Sequence, residues 1–445
     1  MNFSQSLTYL NSFYDLEKTM TLPAGRRWKL ERMRHLLRIF GQPQKSFLSV
    51  VIVGTKGKGS TGFFLQSILK EAGLSAGFYS SPHLESPRER IRIQGEIISK
   101  KLWCRLLETI HGTLARQKEK KAWGSYTYFE IMTLMAALAF KGAGVEAAVF
   151  EAGMGGRLDA VNALGAPVVI VTPIHLDHQE FLGPTVGHIA AEKAAVIHGR
   201  ADVIMAPQKK AAEGVIRERA ARQKARLWRV TQKVSYPVGL QGDHQQWNAA
   251  AAVLASKVLL QALNTRKLNE GRQDPSRSEL KEPSLRRSIS SSAVQAGLRA
   301  KNWPGRFETV SVRPRVILDG AHNPAAMEVL VKALKKVPEA RDKRARILLF
   351  GVTRDKDSQT MLKILAQFFS TVILVPLLSS RGKSPAELHG EAQHFFSVQI
   401  PAQNLKEAVS LGKRLAGPNG LLAVTGSFYL AGAARALLCH ERANR

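Results

Sequence analysis

Cysteine is nearly absent from this sequence. Two residues in 445, Cys104 and Cys439, are too few and too far apart for a disulfide framework or a metal-ligand spacing. A reducing compartment, the cytoplasm, is the expectation. No apolar run approaches the roughly 20 residues of a membrane helix, so no membrane partner is expected. The opening stretch MNFSQSLTYLNSFYDLEK has no basic region followed by an apolar one, which argues against a secretory signal. Acidic residues are scarce: 35 Asp and Glu face 65 Lys and Arg, a formal charge of +30. Such a field attracts nucleic acid, anionic membranes or polyanionic small molecules. Yet the basic residues are dispersed, as in VIRERAARQKARLWRV, without the aromatic interleaving of a single-strand platform or a DNA-reading motif. Nucleic acid is not expected as the main partner.

What is present is a 44% hydrophobic chain with mixed charge, long enough for two domains with full cores. RRWKLERMRHLLRIFGQP carries apolar residues at helical spacing before Gly41 and Pro43. SVVIVG reads as a strand, TGFFLQSILKEAG as the helix after a glycine-lysine loop, and SAGFYS as the next strand. YFEIMTLMAALAFKGAG and VGHIAAEKAAVIHG read as helices, EAAVFEAG and APVVIVTPI as buried strands. Alternation of this kind predicts an α/β fold with a mostly parallel sheet and catalytic loops at the strands' C-terminal ends. NTRKLNEGRQDPSRSELKEPSLRR, residues 264–287, is almost free of large apolar residues and reads as a charged, flexible insertion. Strand-then-helix alternation resumes from about residue 299, as a second, smaller α/β domain.

In Gly54-Thr55-Lys56-Gly57-Lys58-Gly59-Ser60-Thr61 the glycines let backbone N–H groups turn toward phosphate oxygens, and Lys58 would reach the terminal phosphates. Gly59 separates Lys58 from Ser60, so the match to an ordinary P-loop is incomplete. Glu151 closes a predicted strand ahead of EAGMGGRLDAVN, a placement suited to Mg2+, which takes one or two protein oxygens plus substrate phosphates. HLDH, His175 to His178, is read as ending another strand and offers an imidazole. Lys193 sits on a predicted helix. In the second domain WPGRFE offers Arg306, and LDGAHNP offers Asp319 and His322, groups able to hold ribose or adenine or to stabilise transferring phosphate charge.

Taken together, these segments resemble the folylpolyglutamate synthase and dihydrofolate synthase family of the Mur ligase superfamily. The resemblance runs in order through GTKGKGS, YSSPHL, ERIRIQGEIIS, TYFEIMTL, EAGMGGRLDAVN, LDHQEFLG, IAAEKAAVI, GDHQQWNAAAA, WPGRFE, LDGAHNP, FGVTRDKD and VTGSFYLAG. It implies a P-loop-type ATP-binding and folate-binding domain over 1–298, a Rossmann-like glutamate-ligase domain over 299–445, and an active site in the cleft between them. It implies ATP binding by Gly54 to Thr61, Asn248, Arg306 and Asp319, metal binding by Ser81, Glu151 and His178, and folate binding by Phe129 and Asp159. Lys58, Lys193 and His322 fall at catalytic positions, Lys193 where the superfamily carries a carbamylated lysine. The implied reaction joins L-glutamate to dihydropteroate, to a reduced folate, or to both, using ATP and Mg2+ with a monovalent cation such as K+ as a further cofactor. A monomer is expected. Lys56 stands where the family often has Asn, and Val161 where it often has Thr. Two rivals share parts of this chemistry: a UDP-muramyl amino-acid ligase and a basic nucleic-acid-binding ATPase.

Overall fold

The computed structural model describes residues 1–15, 30–117, 126–273, 287–301, 303–340, 342, 344–377 and 381–443. They form two compact units. The first comprises Met1–Ser81, Arg88–Gly239 and Gln245–Ala300; the second comprises Pro82–Pro87, Leu240–His244 and Lys301–Arg445.

The first unit is built on β1 (Leu48–Val53), β2 (Ala76–Tyr79), β3 (Ile91–Ile93), β4 (Glu96–Ile97), β5 (Ala147–Glu151), β6 (Val168–Val171), β7 (Asp202–Met205) and β8 (Arg226–Arg229). Their order in the sheet is β4-β3-β2-β5-β1-β6-β7-β8. Pairing is parallel from β2 through β8, and antiparallel only in the short β2-β3-β4 edge. A parallel sheet covered on both faces needs strands without alternation. Accordingly every residue of β1, LSVVIV, is buried. The chain leaves β1 toward β2 on one side and later fills β6, β7 and β8 on the other. Such a switch point opens a crevice at the carboxyl ends of the strands.

Helices cover the faces. Tyr128–Gly142 starts in a capping box, where Thr127 accepts from the Glu130 N–H and the Glu130 carboxylate accepts from the Thr127 N–H. Its Phe140 ring meets Phe150 of β5 edge-on at 5.5 Å, and Phe47 stacks on Phe150 at 6.0 Å. The helix after β1 spans Lys58–Glu71, three residues earlier than TGFFLQ suggests, because Gly57 caps it with φ 85°. Lys58 therefore lies on the first helical turn and not in a loop. His175–His178 does not end a strand: β6 stops at Val171, and His178 caps the short helix Gln179–Leu182. The long helix His244–Gln273 runs into the segment expected to be an insertion, so residues 264–273 are helical; residues 274–286 lie outside the described residues.

The second unit holds β9 (Glu308–Val312), β10 (Arg315–Leu318), β11 (Arg346–Phe350), β12 (Thr371–Leu374), β13 (Val398–Pro401) and β14 (Leu421–Thr425), in the order β13-β12-β11-β14-β10-β9. All neighbours are parallel except β9 with β10. Phe350, Met361, Leu362, Leu365, Phe369 and Leu388 fill one face. The helix Pro324–Leu334 leaves the end of β10 through an Asn323 cap with proline at its first position.

Candidate active site

At the carboxyl end of β1 the chain turns sharply under Thr172. Gly54 has φ 145°, and a Cβ there would lie 1.9 Å from Thr172 Oγ1, so only glycine fits. The N–H groups of Thr55 and Lys56 both donate to Pro173 O, at 3.0 and 3.3 Å. They are held by the protein, which narrows the phosphate cradle to the N-terminal turn of the helix that Gly57 opens. There the N–H groups of Lys58, Gly59 and Ser60 have no intrahelical acceptor, and the helix dipole favours an anion. Ser60 and Thr61 are buried on that turn, and Thr61 Oγ1 has no hydrogen-bond partner among the described residues. Asn248, buried and donating to Gln245 Oε1 at 2.9 Å, lies against Gly57: a Cβ on Gly57 would come within 2.3 Å of its Oδ1.

Lys58 Nζ donates to Gly54 O at 3.2 Å and stands 4.0 Å from Glu151 Oε1. Glu151 is the last residue of β5, only 3% exposed, and its Oε2 accepts from the Ser81 N–H at 3.3 Å. The ends of β1, β2 and β5 thus converge on one carboxylate. Glu151 and the Ser81 hydroxyl are hard oxygen donors, few in number, which suits an ion that completes its shell with water and phosphate. His178, with φ 49°, sits 3.8 Å from Asp177. Among the described residues no three His, Cys, Asp or Glu side chains cluster, so any metal held here relies on few protein ligands.

Lys193 is 5% exposed, and burial together with the Lys58 charge pushes its pKa down to about 7, against the pull of Asp177 and Asp159. An amine in that range is neutral enough to react as a nucleophile. Asp159 accepts three backbone N–H groups, from Gly153, Met154 and Val161, so its carboxylate shapes the EAGMGG loop. Burial nonetheless raises it to about 6. Phe129 stands beside the same loop: its ring lies 5.7 Å from Tyr79 and would meet a Cβ on Gly153 at 2.9 Å. Asp177 escaped the sequence reading, which singled out only the imidazoles of HLDH.

In the second unit Asp319 follows β10 and accepts from the Phe307 and Ala321 N–H groups, each at 2.9 Å. Enclosure of the carboxyl raises its pKa, while the Arg306 charge and both N–H groups oppose the rise. The Arg306 guanidinium lies over the Phe428 ring at 4.4 Å, and the His322 ring faces the same phenyl at 5.9 Å. Phe428, from VTGSFYLAG, is the platform for both, a role that no local pattern in the sequence signals. His322 Nδ1 is fixed 2.9 Å from Gly320 O.

Residues 305–428 match the family described as Mur ligase, glutamate ligase domain. Over 462 aligned residues the chain is 30% identical to the folylpolyglutamate synthase of Lacticaseibacillus casei, covering 98% of this chain and 99% of that one. The chain belongs to the folylpolyglutamate synthase and dihydrofolate synthase family. It is an ATP-dependent glutamate ligase. Its fold agrees with that of Mycobacterium tuberculosis folylpolyglutamate synthase complexed with ADP, at TM-score 0.83 and 27% identity over 98% of both chains. The bifunctional folylpolyglutamate synthase/dihydrofolate synthase of Yersinia pestis, complexed with AMPPNP and Mn ion, aligns at TM-score 0.78 and 27% identity over 99% of this chain and 98% of that one.

Proposed function

We propose that this family member joins L-glutamate to dihydropteroate, to a reduced folate, or to both, with ATP hydrolysed to ADP and phosphate. The observation that carries the reading is the meeting of Lys58, Glu151 and Ser81 at the carboxyl ends of β1, β5 and β2, beside a helix N-terminus shaped for phosphate. The chemistry follows from the substrates. A pteroate or folate carboxylate is a poor electrophile; transfer of the γ-phosphoryl group to it makes an acyl phosphate with a good leaving group. The glutamate amine then attacks the acyl carbon, and phosphate leaves from the tetrahedral intermediate as the amide forms.

The first turn of Lys58–Glu71 and the Lys58 ammonium hold the phosphates and offset the charge that develops on them. Ser81, Glu151 and His178 are the residues assigned to Mg2+; when bound, the ion would neutralise phosphate charge. Lys193, as a carbamate, would present a carboxylate in place of an ammonium beside Lys58; its lowered pKa makes the neutral amine that reacts with CO2 available. Asn248, Arg306 and Asp319 are assigned to the nucleotide, Phe129 and Asp159 to the pterin side, and His322 to the incoming amino acid. Asp159 and Asp319, which accept backbone N–H groups, also hold their loops in place. The first domain, over 1–298, carries ATP and folate binding, and the second, over 299–445, the glutamate-ligase function. No helix among the described residues is long and apolar enough to cross a membrane. A cytoplasmic monomer that also uses K+ is the fuller form of this reading.

The test is ADP release with Mg-ATP and L-glutamate, comparing dihydropteroate with tetrahydrofolate and identifying products by mass. Turnover with both is the bifunctional outcome, and turnover with one assigns a dedicated enzyme. Absence of a glutamylated product from either would sink the folate reading.

A further inference from the structure

His198, a half-buried imidazole just past the end of the helix Val186–Ala194 that carries Lys193, has no part in the chemistry above. The turn between helix and imidazole is held from two sides. The Ile197 N–H donates to Ala194 O at 2.9 Å, and Arg219, reaching over from the helix Lys210–Arg222, donates from Nε to Ile197 O at 3.2 Å and from Nη2 to Ala195 O at 3.4 Å. His198 Nε2 lies 2.6 Å from Oδ1 of Asn162, at the far end of EAGMGGRLDAVN. Asn162 is buried, and its Nδ2 donates to Arg157 O at 2.8 Å. A carbonyl only accepts, so that bond orients the amide: Oδ1 faces the imidazole, and the ring must donate from Nε2. Burial lowers the pKa of His198, and the charges of Arg219 and Arg34 lower it further, so the ring is neutral with its one hydrogen on Nε2.

These bonds close a ring. Arg157 is joined to Glu192, the residue before Lys193, through both backbone and side chain; from Arg157 O the path runs through Asn162 to His198, and from His198 back along the chain to Lys193. The loop is therefore fastened to the Lys193 helix at Glu192 and again beyond the helix's C-terminal end. With the first fastening alone the helix could pivot on the loop; the second stops it. Resting on the carbamate reading of Lys193, we propose that His198 and Asn162 are positioning residues for the ligase reaction: their hydrogen bond stops the helix from pivoting and so holds the Lys193 carbamate in place beside Lys58.

Steady-state kinetics of the full chain, with ADP affinity measured by calorimetry on the same preparations, test this. His198→Leu removes the donor, and the shorter amide of His198→Asn ends short of Asn162; each should lower kcat about tenfold, the scale of a small misplacement at a reacting centre. His198→Gln sets an amide nitrogen where Nε2 was and should keep kcat within about twofold. ADP affinity should be unchanged in all three, which separates the loss from unfolding. Adding His198→Leu to Asn162→Ala should lower kcat no further, since both act through one bond. The decisive arm uses Lys193→Ala supplied with acetate. There the carboxylate no longer depends on the helix, so His198→Leu should make no difference. A further tenfold loss in that background overturns the proposal, because His198 would then act other than through Lys193. Wild-type kcat in both His198→Leu and His198→Asn overturns it as well, and so do equal losses in His198→Gln, which would assign the effect to packing of the ring. If Lys193→Ala is fully active without acetate, the carbamate reading itself fails, and the positioning role with it.

Discussion

Burying the Lys193 ammonium beside Lys58 removes its hydration and adds a like-charge repulsion, and the shift to about 7 records both. The unfolded lysine titrates near 10.5. Between these values the unfolded chain holds a proton that the folded chain lacks, so Lys193 opposes folding increasingly as pH falls through that window. The penalty is complete below about 7 and absent above about 10.5. Lys193→Met should therefore raise the melting temperature at mildly acidic pH and leave it unchanged at strongly alkaline pH. A uniform loss of stability would show that the lysine is not desolvated. Activity should move the other way. Lys193→Ala should lose turnover that short carboxylic acids partly restore, whereas full activity without them would reject a catalytic carbamate. Lys58→Ala should lower turnover about 100-fold or more with an unchanged melting temperature, because its ammonium holds the phosphates and offsets the charge that develops on them during transfer.

At the scale of elements, the position of Lys193 depends on how closely a loop approaches a helix. Gly156 lies against Val186–Ala194: a Cβ there would come within 2.6 Å of Glu192 O and 2.9 Å of Lys193 Cα. Arg157 fastens the contact from its N–H to Glu192 O at 2.8 Å and from Nε to the Glu192 carboxylate at 2.9 Å. Gly156→Ala should push the helix away, costing about 1–3 kcal/mol of stability. Turnover should fall about tenfold or more through the displaced Lys193, with ADP affinity retained. Unchanged kinetics in a folded Gly156→Ala protein would dissociate loop and helix. The glycines of EAGMGG were legible as a motif, but the partner that makes one of them obligatory lies 36 residues on, and no local pattern shows it. The helix start at Lys58 was hidden for a related reason: glycine in the left-handed region at Gly57 is a good cap but carries no side-chain signal. The buried strands were legible because a doubly covered sheet demands uninterrupted apolar runs, as in β1 and β6.

At the scale of the whole molecule, the excess of 30 positive charges is a property that fold and motif leave open. Its sign was plain in the sequence; its partner was not, because dispersed lysines and arginines have no period. ATP, glutamate and γ-glutamyl chains are all anionic, so the field should act on their encounter with the enzyme and not on bond making. Raising ionic strength should therefore lower kcat/KM while leaving kcat unchanged. The fall should steepen with each glutamyl carboxylate added to the folate, since every added charge increases the attraction that salt screens. Steady-state kinetics with mono-, di- and triglutamyl substrates at low and high salt would measure the slopes. Equal slopes for the three would mean that the net charge does not serve substrate capture. ATP hydrolysis stimulated by RNA or DNA would then assign it to nucleic acid instead.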